Sequence, residues 1–250
     1  MVDRLGWRGK FGVITPSTNT VVQPEYDAIC PAGVTTHIGR MHIPDDPISS
    51  DGDFDELIRR IDVALEDAVK RVMTCKPDYF VLGISSESIW GGGLEKAQEI
   101  VRRMEPLLNG VQVSQAADAL PAALKAFGVK KKISVVTPYF PVAEPHIQQF
   151  AADIGYEIVK TYHMSCKSPT LIAHTSEDQC WEALWSVDSN EVEAIIQFGA
   201  NLPFAAVAAE AEKRLKKPIV AVNAATIWHA LRSFGIHDRI FGQGRLLWEY

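Results

Sequence analysis

One pattern of strand ends occurs twice in this chain, and the repetition limits the folds open to it. Ile14-Thr15-Pro16 closes an apolar run near the start, and Val136-Thr137-Pro138 closes a similar run 122 residues later. Phe80-Val81-Leu82-Gly83 ends another run, and Ile195-Ile196-Gln197-Phe198-Gly199 ends its counterpart 116 residues on. A short apolar run stopped by Pro or Gly reads as a strand handing over to a loop. Two such pairs at nearly equal spacing read as one α/β unit written twice. Two copies facing one another enclose a cleft, with these four strand ends along its walls.

The segments between the landmarks support that reading. Residues 54–74 place Phe54, Leu57, Ile61, Leu65, Ala68 and Val72 at spacings of three and four, which predicts a helix with one apolar face, capped by Asp53. Strands are predicted at 11–15, 34–38, 79–83 and 111–113, with further helices at 94–108 and 116–127. The cycle then restarts with strands at 133–137, 156–161, 192–198 and 219–222, and helices at 142–154, 176–187, 202–215 and 224–234. The predicted class is therefore α/β, as two pseudo-symmetric domains, each a four-stranded parallel sheet flanked by helices. The expected division is an N-terminal half over 1–115, a C-terminal half over 116–225, and a segment 226–250 that packs back on the N-terminal half or on a partner subunit. Right-handed crossovers put the C-terminal ends of parallel strands on one edge, where open α/β sheets bind ligands, so the site is expected in the cleft between the halves.

Composition excludes several classes of function. Of 250 residues, 47% are apolar and 22% charged, an ordinary globular balance, and the net charge is −6. No basic stripe offers to neutralise phosphates, so no nucleic-acid partner is expected, and Lys130-Lys131-Lys132 reads as a solvated loop before a strand. No apolar stretch approaches the ~20 residues of a membrane span, and no signal peptide is evident, so a cytoplasmic protein without a membrane partner is expected. The four cysteines, Cys30, Cys75, Cys166 and Cys180, have no metal-ligand spacing. They read as reduced thiols, and neither metal nor cofactor is expected. The apolar C-terminal segment suggests a homo-oligomer.

The four strand-end loops carry the candidate chemistry. Pro16-Ser17-Thr18-Asn19-Thr20 places hydroxyls and an amide at a helix N-terminus, where free N–H groups favour an anion. Capping alone would explain the same residues. Gly83-Ile84-Ser85-Ser86-Glu87-Ser88 offers hydroxyls and one acid. It is neither a phosphate-binding P-loop nor a nucleophile elbow. Glu87 reads either as a base or as a solvated acid. In Pro138-Tyr139-Phe140-Pro141 the phenol could hydrogen-bond an oxyanion or merely pack. Gly199-Ala200-Asn201 is a small-residue turn entering a helix. Arg40 and His42, after the second strand, lie within plausible reach of a carboxylate, although surface and packing roles fit them as well.

Together these loops resemble the aspartate/glutamate racemase superfamily, in its maleate cis–trans isomerase and arylmalonate decarboxylase branch. Pro16-Ser17-Thr18-Asn19-Thr20 matches the branch's Pro-Ser-Ser/Thr-Asn-Thr element, and Thr137-Pro138-Tyr139 its Thr-Pro-Tyr element. The resemblance implies a pseudo-symmetric enzyme without metal or organic cofactor that holds a small carboxylate between its halves. Racemases and isomerases of the superfamily place two cysteines across that cleft, after the third and seventh strands. Here the matching positions hold Gly83 and Gly199, and a shift of one residue offers Ile84 and Phe198. Arylmalonate decarboxylases also have glycine at the first position but keep the second cysteine. A further departure lies near Ser168, where maleate isomerases have asparagine. Cys166, after the sixth strand, is the alternative for a relocated thiol.

The leading expectation is a cofactor-independent lyase, decarboxylase-like, acting on a small carboxylate or related carbonyl compound through an oxyanion-stabilised intermediate with a non-cysteine proton donor. Tyr139, Ser85, Glu87 and Asn19 are the expected catalytic residues, and Pro16, Ser17, Gly83, Ser86, Gly199, Ala200 and Asn201 the expected binding residues. The alternatives are hydrolysis of a small amide, lactone or enamide by Ser/Glu-activated water, isomerase or racemase chemistry, and non-catalytic carboxylate binding. No histidine is obviously paired with a serine, which argues against a Ser-His-Asp triad.

Overall fold

The computed structural model describes residues 3–86, 89–90 and 93–250. It contains two four-stranded parallel sheets. The first has the order β2-β1-β3-β4, from β1 (Gly9–Pro16), β2 (Val34–Met41), β3 (Tyr79–Leu82) and β4 (Val113–Ser114). The second has the order β6-β5-β7-β8, from β5 (Lys132–Thr137), β6 (Glu157–His163), β7 (Ala194–Gln197) and β8 (Ile219–Ala221). The central strands β3 and β7 are buried at every position, as strands covered on both faces must be. The edge strands β2 and β6 are mostly half-buried and accordingly carry Thr, His, Lys and Glu.

This order decides where the site lies. After β1 the chain steps out to β2, then returns to β3 on the other side of β1. The connections therefore diverge at the C-terminal ends of β1 and β3, opening a crevice there. β5 and β7 repeat the geometry, so the crevice loops are 16–20, 83–86, 138–140 and 199–201.

The helices are α1 (Val22–Ile29), α2 (Asp51–Met73), α3 (Gly93–Leu108), α4 (Ala116–Ala126), α5 (Glu144–Asp153), α6 (Glu177–Val187), α7 (Ala205–Leu215), α8 (Val222–Ser233) and α9 (Arg245–Glu249). The short α1 is the helix that the Pro16–Thr20 loop is expected to enter. α2 starts earlier than expected, because Ser50 is its N-cap and Asp53 its third residue. Ser50 Oγ accepts the Asp53 N–H, while the Asp53 carboxylate accepts the Ser50 N–H, forming a capping box. α8 packs on α4, α1, β3 and β4, which joins the two sheets through one helical layer. α9 packs on α8, and Arg232 donates to the carbonyls of Leu247 and Tyr250. Arg8 pairs with Asp238, tying the start of β1 to the C-terminal segment. No described helix is long and apolar enough to cross a membrane.

The paired registers correct the spacing read from sequence. Gly83 N donates to Ile14 O at 2.8 Å, and Phe198 N donates to Val136 O at 3.0 Å. Ile14 and Val136 are equivalent, so the counterpart of Gly83 is Phe198, and that of Ile84 is Gly199. The two glycines are alike in letter but differ in role. A Cβ on Gly83 would stand 3.0 Å from Ile14 O and 3.1 Å from Val13 and Val22, so this glycine permits close packing on β1 and α1. Gly199 has φ of +99°, which favours glycine, and a Cβ there would meet Pro138 Cγ at 2.3 Å.

Candidate active site between the two sheets

The crevice loops and α2 enclose a cleft of about 470 Å³, part of it open to solvent. One wall is apolar. Phe54, Leu57, Ile58 and Ile61 of α2 line it, joined by Ile43, Ile84 and Ile172. Their spacing along α2 is one helical stripe, so the periodicity that predicted the helix also built the wall. Phe54 is fully buried, which contributes on the order of 1.5–3 kcal/mol, and its ring packs 5.0 Å from Tyr139 and 4.9 Å from Trp90.

The rest of the lining is largely polar but uncharged. Thr18, Asn19, Ser85, Ser86, Tyr139 and Asn201 belong to it, together with Pro16, Gly199 and Ala200. Among the described lining residues there is no charged side chain and no cysteine. Ser85 Oγ accepts the Gly199 N–H at 3.0 Å and shares a hydrogen bond with the Tyr139 hydroxyl at 3.1 Å. The ends of β3, β5 and β7 thus converge on one oxygen, and the contact crosses between the sheets. Ser85 and Tyr139 are both nearly inaccessible, so these bonds form in a water-poor setting where they are stronger.

The other expected residues divide into those that face the cleft and those that build it. Asn19 lines the cleft, but its Oδ1 accepts the Val21 and Val22 N–H groups at the entry to α1. Its Nδ2 has no partner among the described residues. Asn201 is a clamp: Oδ1 accepts the Thr20 N–H, and Nδ2 donates to Pro169 O. Ser17 is withdrawn from the cleft, because its hydroxyl donates to Ile43 O and accepts Ile43 N–H. Gly83 also lies behind the lining, and Ile84 takes the place expected for it. Arg40 donates to Asn19 O and Gln23, and neither Arg40 nor His42 lines the cleft. Glu87 lies outside the described residues.

The thiols are elsewhere. Cys166 is placed 3.8 Å from Thr175 Oγ1, outside the lining, and burial pushes its thiol up. Burial pushes the Cys30 and Cys180 thiols up to about 12. Such groups stay protonated at neutral pH and are poor nucleophiles. The relocated-thiol alternative thus finds no support in the geometry. Among the described residues, no group of three or more His, Cys, Asp and Glu is placed to hold a metal ion.

The sequence profile of arylmalonate decarboxylase matches residues 12–247 of this chain. The chain belongs to the arylmalonate decarboxylase family. Its similarity to maleate isomerases runs along the same length. The curated maleate isomerase of Alcaligenes faecalis is 23% identical over 252 residues, covering 95% of this chain and 96% of the relative. Among solved structures, a cysteine-to-serine mutant of Nocardia farcinica maleate cis–trans isomerase with a covalently bound succinylcysteine intermediate superposes with a TM-score of 0.82. It is 20% identical, with 96% of this chain and 98% of that chain covered. A liganded double mutant of arylmalonate decarboxylase has a TM-score of 0.78 at 18% identity, with 96% and 99% covered. These structural likenesses establish the shared fold. The described lining of this chain's cleft carries hydroxyls and amides but no thiol.

Sequence reasoning missed three residues behind the cleft: Glu25, Gln197 and Asn223. Glu25 of α1 accepts the Ala205 N–H and the Asn223 amide, linking the sheets, and burial pushes its carboxyl up despite those bonds. No spacing signal announces them, because their partners are set by the folded backbone and by each other. The apolar wall was visible as a helix face, but its orientation toward the cleft was not.

Proposed function

We propose that this chain is a cofactor-independent lyase that removes carbon dioxide from a small carboxylate whose α-carbon carries a second carbonyl group. The observation that carries the proposal is Ser85 Oγ, held between the Gly199 N–H and the Tyr139 hydroxyl in a cleft with an apolar wall and no charged group among its described lining residues. A carboxylate set against that wall loses hydration without gaining a cation. It is relieved of its charge when the carbon–carbon bond breaks and neutral CO2 forms. The bonding electron pair passes into the remaining carbonyl, giving an enediolate. Ser85, Tyr139 and the backbone N–H groups at 199–201 are the donors available to its oxygens. The carbanion carbon then takes a proton from the Tyr139 hydroxyl or a water held by it, and solvent restores that proton.

The geometry gives less support to the alternatives. The described partners of Ser85 Oγ are a peptide N–H and a phenol rather than an imidazole, which disfavours a serine nucleophile activated by histidine. Thiol addition to a double bond would need a cysteine in the cleft. The test is product analysis with a panel of substituted malonates, β-keto acids, lactones and amides in oxygen-labelled heavy water. CO2 release with solvent hydrogen on the product carbon is expected. Labelled oxygen in the product would indicate hydrolysis instead. Hydrogen exchange at carbon alone would indicate isomerase or racemase chemistry. Thermal stabilisation without turnover would indicate a binding protein.

A further inference from the structure

Gln197 and Asn223 lie behind the cleft, 1% and 3% exposed. Gln197 Nε2 donates to the carbonyls of both Phe198 and Gly199, at 2.5 and 2.9 Å, while its Oε1 accepts the Val222 N–H that starts α8. Asn223 Nδ2 donates to Ala200 O at 2.9 Å and to Glu25 Oε2 at 2.7 Å. Three successive carbonyls, of residues 198, 199 and 200, are thus drawn onto two buried side-chain amides.

In a trans peptide the N–H points opposite to the C=O of the same unit. Drawing in the carbonyls of Phe198 and Gly199 therefore turns the N–H groups of Gly199 and Ala200 away from Gln197. The Gly199 N–H shows the consequence, since it reaches Ser85 Oγ in the cleft. Ala200 lines the cleft, and its N–H has no partner among the described residues. Gly199, between the two peptide units, has φ of +99°, a conformation that favours glycine. Consecutive N–H groups in such a turn form an anion-binding concavity.

We infer that Gln197 and Asn223 are positioning residues. From behind the cleft Gln197 turns the Gly199 and Ala200 N–H groups, and Asn223 the Asn201 N–H, toward a bound carboxylate. The inference rests on the reading of the cleft as a carboxylate site but not on any particular turnover. Glu25, by fixing Asn223 from α1, makes that orientation depend on the packing of one half against the other.

The test is amide NMR of nitrogen-labelled full-length protein, titrated with isovalerate, a branched monocarboxylate suited to the apolar wall, and separately with sulfate. The Gly199 and Ala200 amides should move saturably with at least one probe. Asn223→Ala, judged folded by an intact amide spectrum, should bind that probe about tenfold more weakly or worse, equivalent to one lost hydrogen bond, with a smaller shift at the Asn201 amide. Gln197→Met should weaken binding likewise if it folds, with smaller shifts at the Gly199 and Ala200 amides. Because Asn223 touches only one carbonyl of the turn, its variant keeps the test decisive if Gln197→Met does not fold. Unmoved Gly199 and Ala200 amides with both probes would overturn the assignment, as would unchanged affinity in folded Asn223→Ala. Neither result depends on CO2 release, so a failure of the decarboxylase proposal is read separately.

Discussion

Gly199 donates its backbone N–H to Ser85 Oγ at 3.0 Å, so a peptide at the end of β7 is held by a side chain at the end of β3. The two residues belong to different sheets and are 114 positions apart. The bond makes the cleft a joint product of both halves, and several consequences of its surroundings can be measured.

Ser85→Ala removes the acceptor for Gly199 and the partner of Tyr139 together. A buried N–H left unsatisfied costs about 1–3 kcal/mol, so urea denaturation should show a loss of that size. Loss of an oxyanion donor typically lowers turnover about 10²–10³-fold, and decarboxylation of whichever panel compound proves active should fall by that order. Wild-type turnover in Ser85→Ala would remove Ser85 from the reaction.

Tyr139→Phe separates packing from chemistry. The ring contact with Phe54 remains, so stability should fall by about 1 kcal/mol or less. Turnover should fall far more than stability does. If kcat is unchanged, the tyrosine hydroxyl neither holds the intermediate nor relays the proton.

Thiol substitutions should be position-specific. Gly199→Cys combines a positive φ with a Cβ 2.3 Å from Pro138, and should destabilise by more than ~2 kcal/mol. Gly83→Cys presses on Ile14 O at 3.0 Å, and overpacking of this kind costs about 1–3 kcal/mol. Ile84→Cys should fold, because that side chain already faces the cleft. Iodoacetamide at neutral pH should then label residue 84 well before Cys30 or Cys180, whose thiols desolvation pushes up to about 12. Faster labelling of Cys180 would contradict its burial.

The same thiols set an alkaline limit. Their folded pKa lies above the ordinary value of 9.0, so the neutral form is favoured in the native state. Their contribution to stability is complete below pH 9 and is lost as pH rises toward 12. Denaturation midpoints measured across that window should decline, and Cys30→Ala with Cys180→Ala should flatten the decline.

An acid limit is expected at the start of α2. N–H and hydroxyl groups of Ser49, and those of Ser50, hold the Asp53 carboxyl down from 3.8 to about 2. A depressed carboxyl stabilises the fold above the unfolded value, and that contribution fades as pH falls from 3.8 toward 2. The helix start carries Phe54, Leu57 and Ile58, so the apolar wall should loosen in the same window. Circular dichroism should report lost helicity there. Glu56, lowered by Arg59 and Arg60, titrates in the same range, and Asp53→Asn isolates the cap. An acid transition unchanged in Asp53→Asn would assign it elsewhere.

Much of the cleft was legible in the chain. Pro16, Asn19, Ser85, Ser86, Tyr139, Gly199, Ala200 and Asn201 all line it. They could be found because strands of a parallel sheet deliver their C-terminal loops to one edge, so position after a strand implies position in space. Ser17 and Gly83 sit on the same loops yet serve the framework. Loop membership does not say which way a side chain turns, and the backbone of β1 and of residue 43 claims both. The off-by-one pairing of the glycines has the same origin. Sequence records that residue 83 lacks a Cβ but not whether a strand's carbonyl or a backbone angle requires it.

The sequence by itself determined the duplicated α/β architecture, the edge on which the site forms and the absence of cysteine from its four loops. These follow from local periodicity, chain order and residue identity. Only the tertiary structure decided that Ile84 rather than Gly83 faces the cleft, that α2 supplies its apolar wall, and that Gln197 and Asn223 hold the 199–200 turn from behind. Those features depend on hydrogen bonds and packing between segments far apart in the chain. The geometry of such contacts is set by how two sheets and a shared helical layer come together, and no local pattern encodes it.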